Sequence, residues 1–248
     1  MARNPRKVFI GMAIGSGQEG TTRWETSMAL VRLLCSGVKD YEFYVCPGGG
    51  CDIAHARNLM NHEWATRTDC GIAIHIDSDV VPQNAHLFQL LDWFQRFPDV
   101  QICAGLYPLK GMALRWSYGL WAKDSTVHPG LWEVGEVCGG FVAYRYELWE
   151  QLIAAHPESE YMIEDTKYRG ETGHEIYAMG PIAARDWNND GKPYRRRMPE
   201  DFMFSLRTRE LGHTIYVDPT IQCGHIWNGF DCLQLHPRGK LELASGRE

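Results

Sequence analysis

The amino-acid sequence predicts an α/β fold with a mostly parallel sheet flanked by helices. Two observations carry this. The first 110 residues alternate strand-like and helix-like segments four strands deep, the pattern of a sheet with helices on its faces. The composition, 44% hydrophobic and 23% charged over 248 residues, is that of a globular chain with a sizeable core. That length suggests one large domain or two tightly joined halves.

The elements follow in order. Lys7 to Ala13 is a short apolar run ending at Gly15-Ser16-Gly17, a buried first strand and a tight loop. Thr21 or Thr22 caps a helix with Trp24, Met28, Val31 and Cys35 on one stripe. Tyr41 to Cys46 is aromatic and β-branched, hence strand-like, and Pro47-Gly48-Gly49-Gly50 ends it. Ile53 to Arg67 has helical spacing through Ile53, Ala56, Met60 and Trp64. Gly71 to Ile76 is a strand with Asp77-Ser78-Asp79 at its C-terminal end. Asn84 caps a helix through Leu87, Leu90, Leu91 and Phe94, and Val100 to Leu106 is the next strand. In the second half, Leu131 to Val134 and Gly139 to Arg145 read as strands and Tyr146 to Ala155 as a helix. His156 to Met198 is polar, Gly-rich and without a period, so it reads as a long loop. Glu200 to Leu211 is a helix between Pro199 and Gly212. His213 to Val217 and Ile221 to His225 are short apolar segments.

Composition narrows the function classes. Lys plus Arg is 25 and Asp plus Glu is 31, so the net charge of −6 argues against non-specific coating of nucleic acid. None of the eight cysteines stands in a C-x-x-C pair, which disfavours zinc-ribbon and thioredoxin chemistry; reduced thiols are expected. No apolar run approaches the ~18 residues of a membrane helix, and no secretory core follows the basic N-terminus. The expectation is a cytoplasmic protein with no membrane partner.

Five short constellations carry chemistry. Asp77 and Asp79 stand two residues apart at a strand end, where ligands of such sheets bind; hard cations such as Mg²⁺ or Mn²⁺ take oxygen donors of this kind. A solvated turn explains a lone D-x-D equally well. Arg57, in Ala56-Arg57-Asn58, is a candidate for bidentate phosphate binding, or a surface arginine. Gly139-Gly140 before a strand allows close backbone approach to a ligand, or forms a simple bulge. Glu200-Asp201 opens a helix, where acidic residues favour the macrodipole and where a carboxylate could take a proton from a nucleophile. His225, late in the chain, is a structural histidine or a third metal ligand beside the D-x-D.

In this order, with Arg145, Leu148, Arg207-Thr208-Arg209-Glu210-Leu211-Gly212 and Tyr216-Val217-Asp218-Pro219, the set resembles nucleotide-sugar glycosyltransferases of the GT-A fold. It is similar to the broad family 2 group and to small versions from bacteria and their phages. The resemblance runs from about Lys7 to His225. It implies a single Rossmann-like GT-A domain over residues 1–248, with a nucleotide-binding half at 1–110, an acceptor-binding half at 111–248 that holds the long loop 156–198, and a small C-terminal acceptor-side portion. It implies a divalent metal on Asp77, Asp79 and His225, and a nucleotide-sugar donor, a UDP-sugar favoured. Donor contacts would come from Ala13, Ile14, Gly15, Arg57, Asp77, Ser78, Gly139 and Gly140. In inverting members the base would be Asp201; a retaining enzyme would need none there. The segment between the glycine pair and Glu200-Asp201 is longer here than is usual in the family.

That segment holds a basic island. Lys192, Arg195, Arg196 and Arg197 lie within six residues, against a remainder that sums to −10. Either this is a solvated or diphosphate-holding loop, or Trp187, Tyr194, Arg195, Arg196, Arg197 and Glu200 receive an anionic acceptor. A hydroxyl on modified DNA, in a phage-infected cell, fits the second reading. Three other activities remain open. One is a haloacid-dehalogenase-like phosphatase with Asp77 as nucleophile. The others are a nucleotidyltransferase and a non-catalytic nucleotide-sugar-binding module.

Overall fold

The computed structural model describes residues 3–13, 27, 40–48, 52–109, 116–180, 182–185, 194–227 and 230–231. The helix expected after Thr21 lies outside them. The first half runs β1 (Asn4–Ala13), β2 (Glu42–Gly48), α1 (Ile53–Arg67), β3 (Cys70–Asp77), β4 (Val80–Val81), α2 (Asn84–Arg96) and β5 (Ile102–Leu106). Then come β6 (Tyr118–Asp124), β7 (Trp132–Val137), β8 (Phe141–Arg145) and α3 (Tyr146–Ala155). The chain continues through β9 (Glu160–Met162), β10 (Thr172–His174), β11 (Ile182–Arg185), β12 (Tyr194–Arg197) and α4 (Glu200–Glu210). It closes with β13 (Ile215–Gln222), β14 (Gly224–Trp227) and β15 (Phe230–Asp231).

Eight strands form one sheet in the order β2-β1-β3-β8-β5-β13-β7-β6. β8 and β7 run against the other six, so the sheet is mostly parallel in strand direction. This is the α/β architecture that the GT-A resemblance implies. Strands from before and after residue 110 alternate within it, because β8 lies between β3 and β5. Both faces are covered. Phe9 and Ala73 join a core with Trp64, Leu148 and Phe204, whereas Val8, Ile10, Ile72, Ile74 and Ile76 join a second core with Leu87, Leu90 and Phe94. A strand buried on both faces is apolar at nearly every buried position, which is why Val8–Ala13 of β1 and Cys70–Ile76 of β3, His75 apart, read as continuous runs.

Three local outcomes differ from the sequence reading. Gly139-Gly140 form a turn before β8 rather than its first residues. β13 runs on through Pro219, and its register against β5 shifts between Asp218 and Gln222; that irregularity accommodates a residue with no N–H to give. The 156–198 segment is not a plain loop. It holds a 3₁₀ turn at Pro157–Ser159, a β9–β10 hairpin and a β11–β12 hairpin. Strands of three and four residues are too short to show a period.

The β9–β10 segment packs on α1. Ile163 and Tyr168 bury Leu59, and Glu63 accepts from both Tyr44 and Tyr168 at 2.6 Å. This explains why residues 56 to 64 of α1 are all buried, polar ones included. Among the described residues no helix is long and apolar enough to cross a membrane. The five described cysteines carry no disulfide.

Candidate active site

The site forms at the end of the sheet where β1, β3 and β5 finish. β8 runs antiparallel to β3, so the turn before it arrives at that same rim, with Ile76 opposite Phe141. Backbone hydrogen bonds close the corner. Ser78 N–H donates to the Ala13 carbonyl at 3.0 Å, and Asp77 N–H donates to Gly140 at 3.0 Å. Ala13, Asp77, Ser78 and Gly140, all named as donor contacts in the sequence reading, are thus brought together.

β14 returns the late histidine. It pairs with β4, setting His225 opposite Val80, and Ile226 N–H donates to the Asp79 carbonyl at 2.9 Å. His225 Nδ1–H donates to the Pro108 carbonyl at 2.6 Å, which fixes the tautomer. Nε2 then faces Asp79 Oδ1 at 3.5 Å. An imidazole nitrogen and a carboxylate oxygen facing each other are both donor types that a divalent cation takes. Two donors each about 2.1 Å from one ion lie roughly 3 to 4 Å apart, and a ligating histidine commonly anchors its other nitrogen on a carbonyl. Asp79 and His225 therefore fit a divalent ion.

Asp77 does not complete a triad with them; among the described residues no group of three such side chains converges on one point. Its Oδ1 accepts instead from Arg57 at 2.8 Å. The other end of that guanidinium donates to Glu200 Oε1 at 2.5 Å. Arg57 is 1% exposed, and a Cβ on Gly139 would fall 2.5 Å from its Cζ. Only glycine fits there. Arg57 was expected among donor-phosphate ligands; its two terminal nitrogens meet carboxylates from β3 and α4. Burial alone would lower its pKa, but Asp77, Glu200 and Asp201 hold it charged.

Asp201 lies in the first turn of α4. Its Oδ2 accepts from Gly139 N–H at 3.3 Å and its Oδ1 from Phe202 N–H at 2.8 Å. Burial, then the neighbouring Glu200 charge, push its pKa up to about 6; Arg57 and the two N–H bonds pull the other way. A carboxylate poised near neutrality at a sheet rim suits general-base work.

Several contributors gave no sequence signal as site residues. Tyr107, just past β5, accepts Gly140 N–H at 3.0 Å, and its ring stands edge-on to His225 with centroids 5.1 Å apart. A Cβ on Gly140 would fall 2.5 Å from the Tyr107 oxygen. Tyr177 stacks between His75 and Phe204 below Arg57. His75 is buried and stays neutral, its pKa lowered to about 3 by desolvation and by Arg57. Asn58, quoted for its motif, holds Tyr177 by its backbone on both sides. Of the other expected residues, Ile14, Gly15 and Trp187 lie outside the described residues. Tyr194, Arg195, Arg196 and Arg197 form β12, paired with β11 and two residues before α4.

No family model matches the sequence, and no curated protein matches it. The fold is similar to that of solved structures. A197 from STIV aligns at TM-score 0.52 and 16% identity over 90% of this chain and 87% of that one. A glycosyltransferase involved in the glycosylation of the major capsid of PBCV-1 aligns at TM-score 0.36 and 12% identity, over 61% of this chain and 68% of that one. S. aureus TarS 1-349 aligns at TM-score 0.42 and 10% identity, over 85% and 57%. The A197 likeness spans nearly the whole chain and establishes a shared fold.

Proposed function

We propose that this chain is a metal-dependent glycosyltransferase of the GT-A type. It moves a sugar from a nucleoside-diphosphate donor, a UDP-sugar in the first instance, to an acceptor hydroxyl. The observation that carries this reading is the meeting at one rim of the Asp79–His225 pair and Asp201, joined through Gly139-Gly140. Donor and acceptor chemistry need these two kinds of group side by side: a cation site for the diphosphate and a base for the hydroxyl.

Asp79 and His225 would hold Mn²⁺ or Mg²⁺, which neutralises a diphosphate and stabilises it as a leaving group when bound. Ala13 and Ser78, joined by a backbone hydrogen bond at this rim, would border the nucleoside, and the Gly139-Gly140 turn, packed against Arg57 and Tyr107, would lie beside the sugar. Asp201 takes the acceptor proton, a step worth roughly 10²–10⁴-fold. Asp77 is the poorer nucleophile that a phosphatase would need, since its Oδ1 is engaged by Arg57. For the acceptor we favour a hydroxyl on an anionic polymer, modified DNA in the cytoplasm of a bacterial or phage-infected cell. Support comes from the basic run, which is strand β12 and leads directly into the helix of Asp201.

The test is turnover of a UDP-, GDP- and TDP-sugar panel with Mn²⁺, on hydroxymethylated DNA and on simple glycoside acceptors. Metal-dependent release of nucleoside diphosphate, with sugar covalently on the acceptor, is the expected result. Phosphate release without metal would point to the phosphatase; donor binding with no turnover on any acceptor would point to a binding module. Transfer to glycosides but to no nucleic acid would remove the DNA acceptor alone.

A further inference from the structure

We infer that Arg57 is a positioning residue, the tie between the strand that carries Asp77-Ser78-Asp79 and the helix that carries Asp201. Its kinetic consequences rest on the glycosyl-transfer reading; the tie itself does not. Asp77 closes β3 and Glu200 opens α4, and nothing in the chain's connectivity brings residues so distant in sequence together. One guanidinium joins them, at 2.8 Å and 2.5 Å. A planar fork with nitrogens at both ends is the side chain that can bind two separate carboxylates at once, and a lysine ammonium would reach them as a single point.

The socket around Arg57 is built for retention. Gly139 presses its backbone against the guanidinium, the Tyr177 ring centroid lies 5.6 Å from Cζ, and the side chain is 1% exposed. Tyr177 is itself fixed. Asn58 donates to its carbonyl at 2.7 Å and accepts from its N–H at 2.9 Å. Its ring stacks with Phe204 of α4 at 4.5 Å and 3° and with His75 of β3 at 5.7 Å and 18°. Tyr177 thus touches the same two elements that Arg57 ties. A donor phosphate that took either terminal nitrogen of this arginine would have to break an ion pair. The adjacent residues of one helix, Arg57 and Asn58, therefore do one job. Asn58 seats Tyr177 of the long segment, and Arg57, lying over Tyr177, sets the distance between the cation site and the base.

The experiment is a cycle of Arg57→Lys, Glu200→Gln and the double variant, read in three ways. Amide hydrogen exchange over Asp201–Phe204 should rise in both single variants. Affinity for UDP with Mn²⁺, by calorimetry, should stay within about twofold of wild type, because no donor contact is lost. Turnover should fall roughly 10²-fold, the scale of a misplaced reacting group, and the double variant should be no worse than the poorer single one. A loss of UDP–Mn²⁺ affinity of tenfold or more in Arg57→Lys, with Glu200→Gln unaffected, would overturn the tie and return Arg57 to the donor. Unchanged exchange in both variants would overturn it as well. Glu200→Gln keeps the side chain's size and shape while removing its charge, and serves if Arg57→Lys does not fold. If wild type transfers no sugar, the glycosyl-transfer reading fails while the exchange measurement still decides the tie.

Discussion

Asp77 and Asp79 stand two residues apart on one strand end, yet they answer to different partners. Asp77 meets a permanently charged, buried arginine; Asp79 meets a histidine whose other nitrogen is anchored on a carbonyl. An arginine partner makes a fixed, already neutralised joint. The histidine partner stands 3.5 Å from Asp79, a looser contact than the arginine makes with Asp77. On the proposed function the D-x-D divides its labour between holding the fold and presenting a ligand site, and stability and activity should separate along that line.

Asp79→Ala should abolish Mn²⁺-dependent turnover, a loss of at least ~10³-fold, since developing charge on the leaving diphosphate is no longer met. Its melting temperature should stay near that of wild type. Asp77→Ala should do the reverse in stability. It leaves Arg57 buried with Glu200 alone, and breaking a buried pair costs about 3–5 kcal/mol, the lower end applying here because one partner remains. Chemical denaturation of both variants checks the contrast. Equal destabilisation of the two would mean that Asp79 and Asp77 are both structural.

Asp201 belongs on the ligand side of this division. Asp201→Asn should lower turnover by at least ~10²-fold with UDP–Mn²⁺ affinity retained. Its raised pKa makes wild-type behaviour a finer test. The base must be ionised, so turnover should fall about tenfold per unit as pH drops below about 6. Stability has the opposite sign. The folded state binds this proton more tightly than the unfolded chain, whose value is the ordinary 3.8. The stabilisation from protonated Asp201 is present below that and lost as pH rises through about 6. In Asp201→Asn both features should vanish; a stability slope between pH 4 and 6 that survives the substitution would locate it elsewhere.

The two halves differ in how legible they were. β1, β3 and β5 came directly from unbroken apolar runs, and α1 from its helical spacing through Ile53, Ala56, Met60 and Trp64. The rim followed from that, since Asp77, Asp79 and Gly139-Gly140 are placed by strand ends. His225 needed β14 to come back against β4, a pairing across more than 140 residues that no local pattern encodes. The partners of Arg57 were not legible for the same reason: they come from β3 and α4, and its socket from Tyr177, which sits in a stretch with no period. Arg57, Asn58, Asn61, His62 and Glu63 put polar side chains all round α1, yet all five are buried because other parts of the chain cover the helix.

That cover is the 156–180 segment, and its two ends should differ as the two aspartates do. Near the rim, Tyr177 is part of the Arg57 socket. Farther along α1, Tyr168 donates to Glu63, which also accepts from Tyr44 and pairs with Lys167 at 3.1 Å. Burial works to raise the Glu63 pKa, but the two phenols and the lysine outweigh it and hold it below the usual carboxylate range. Tyr168→Phe removes one hydrogen bond to a charged group and leaves two partners in place. It should cost about 1–2 kcal/mol of stability and change turnover by less than about twofold. The depressed pKa of Glu63 adds a pH signature. Stability from this cluster is present above the unfolded value and lost as pH falls through the lower folded one, so the penalty of Tyr168→Phe should shrink in acid. A turnover loss as large as that of Arg57→Lys would mean that the whole segment, and not its Tyr177 end alone, sets the geometry of the base.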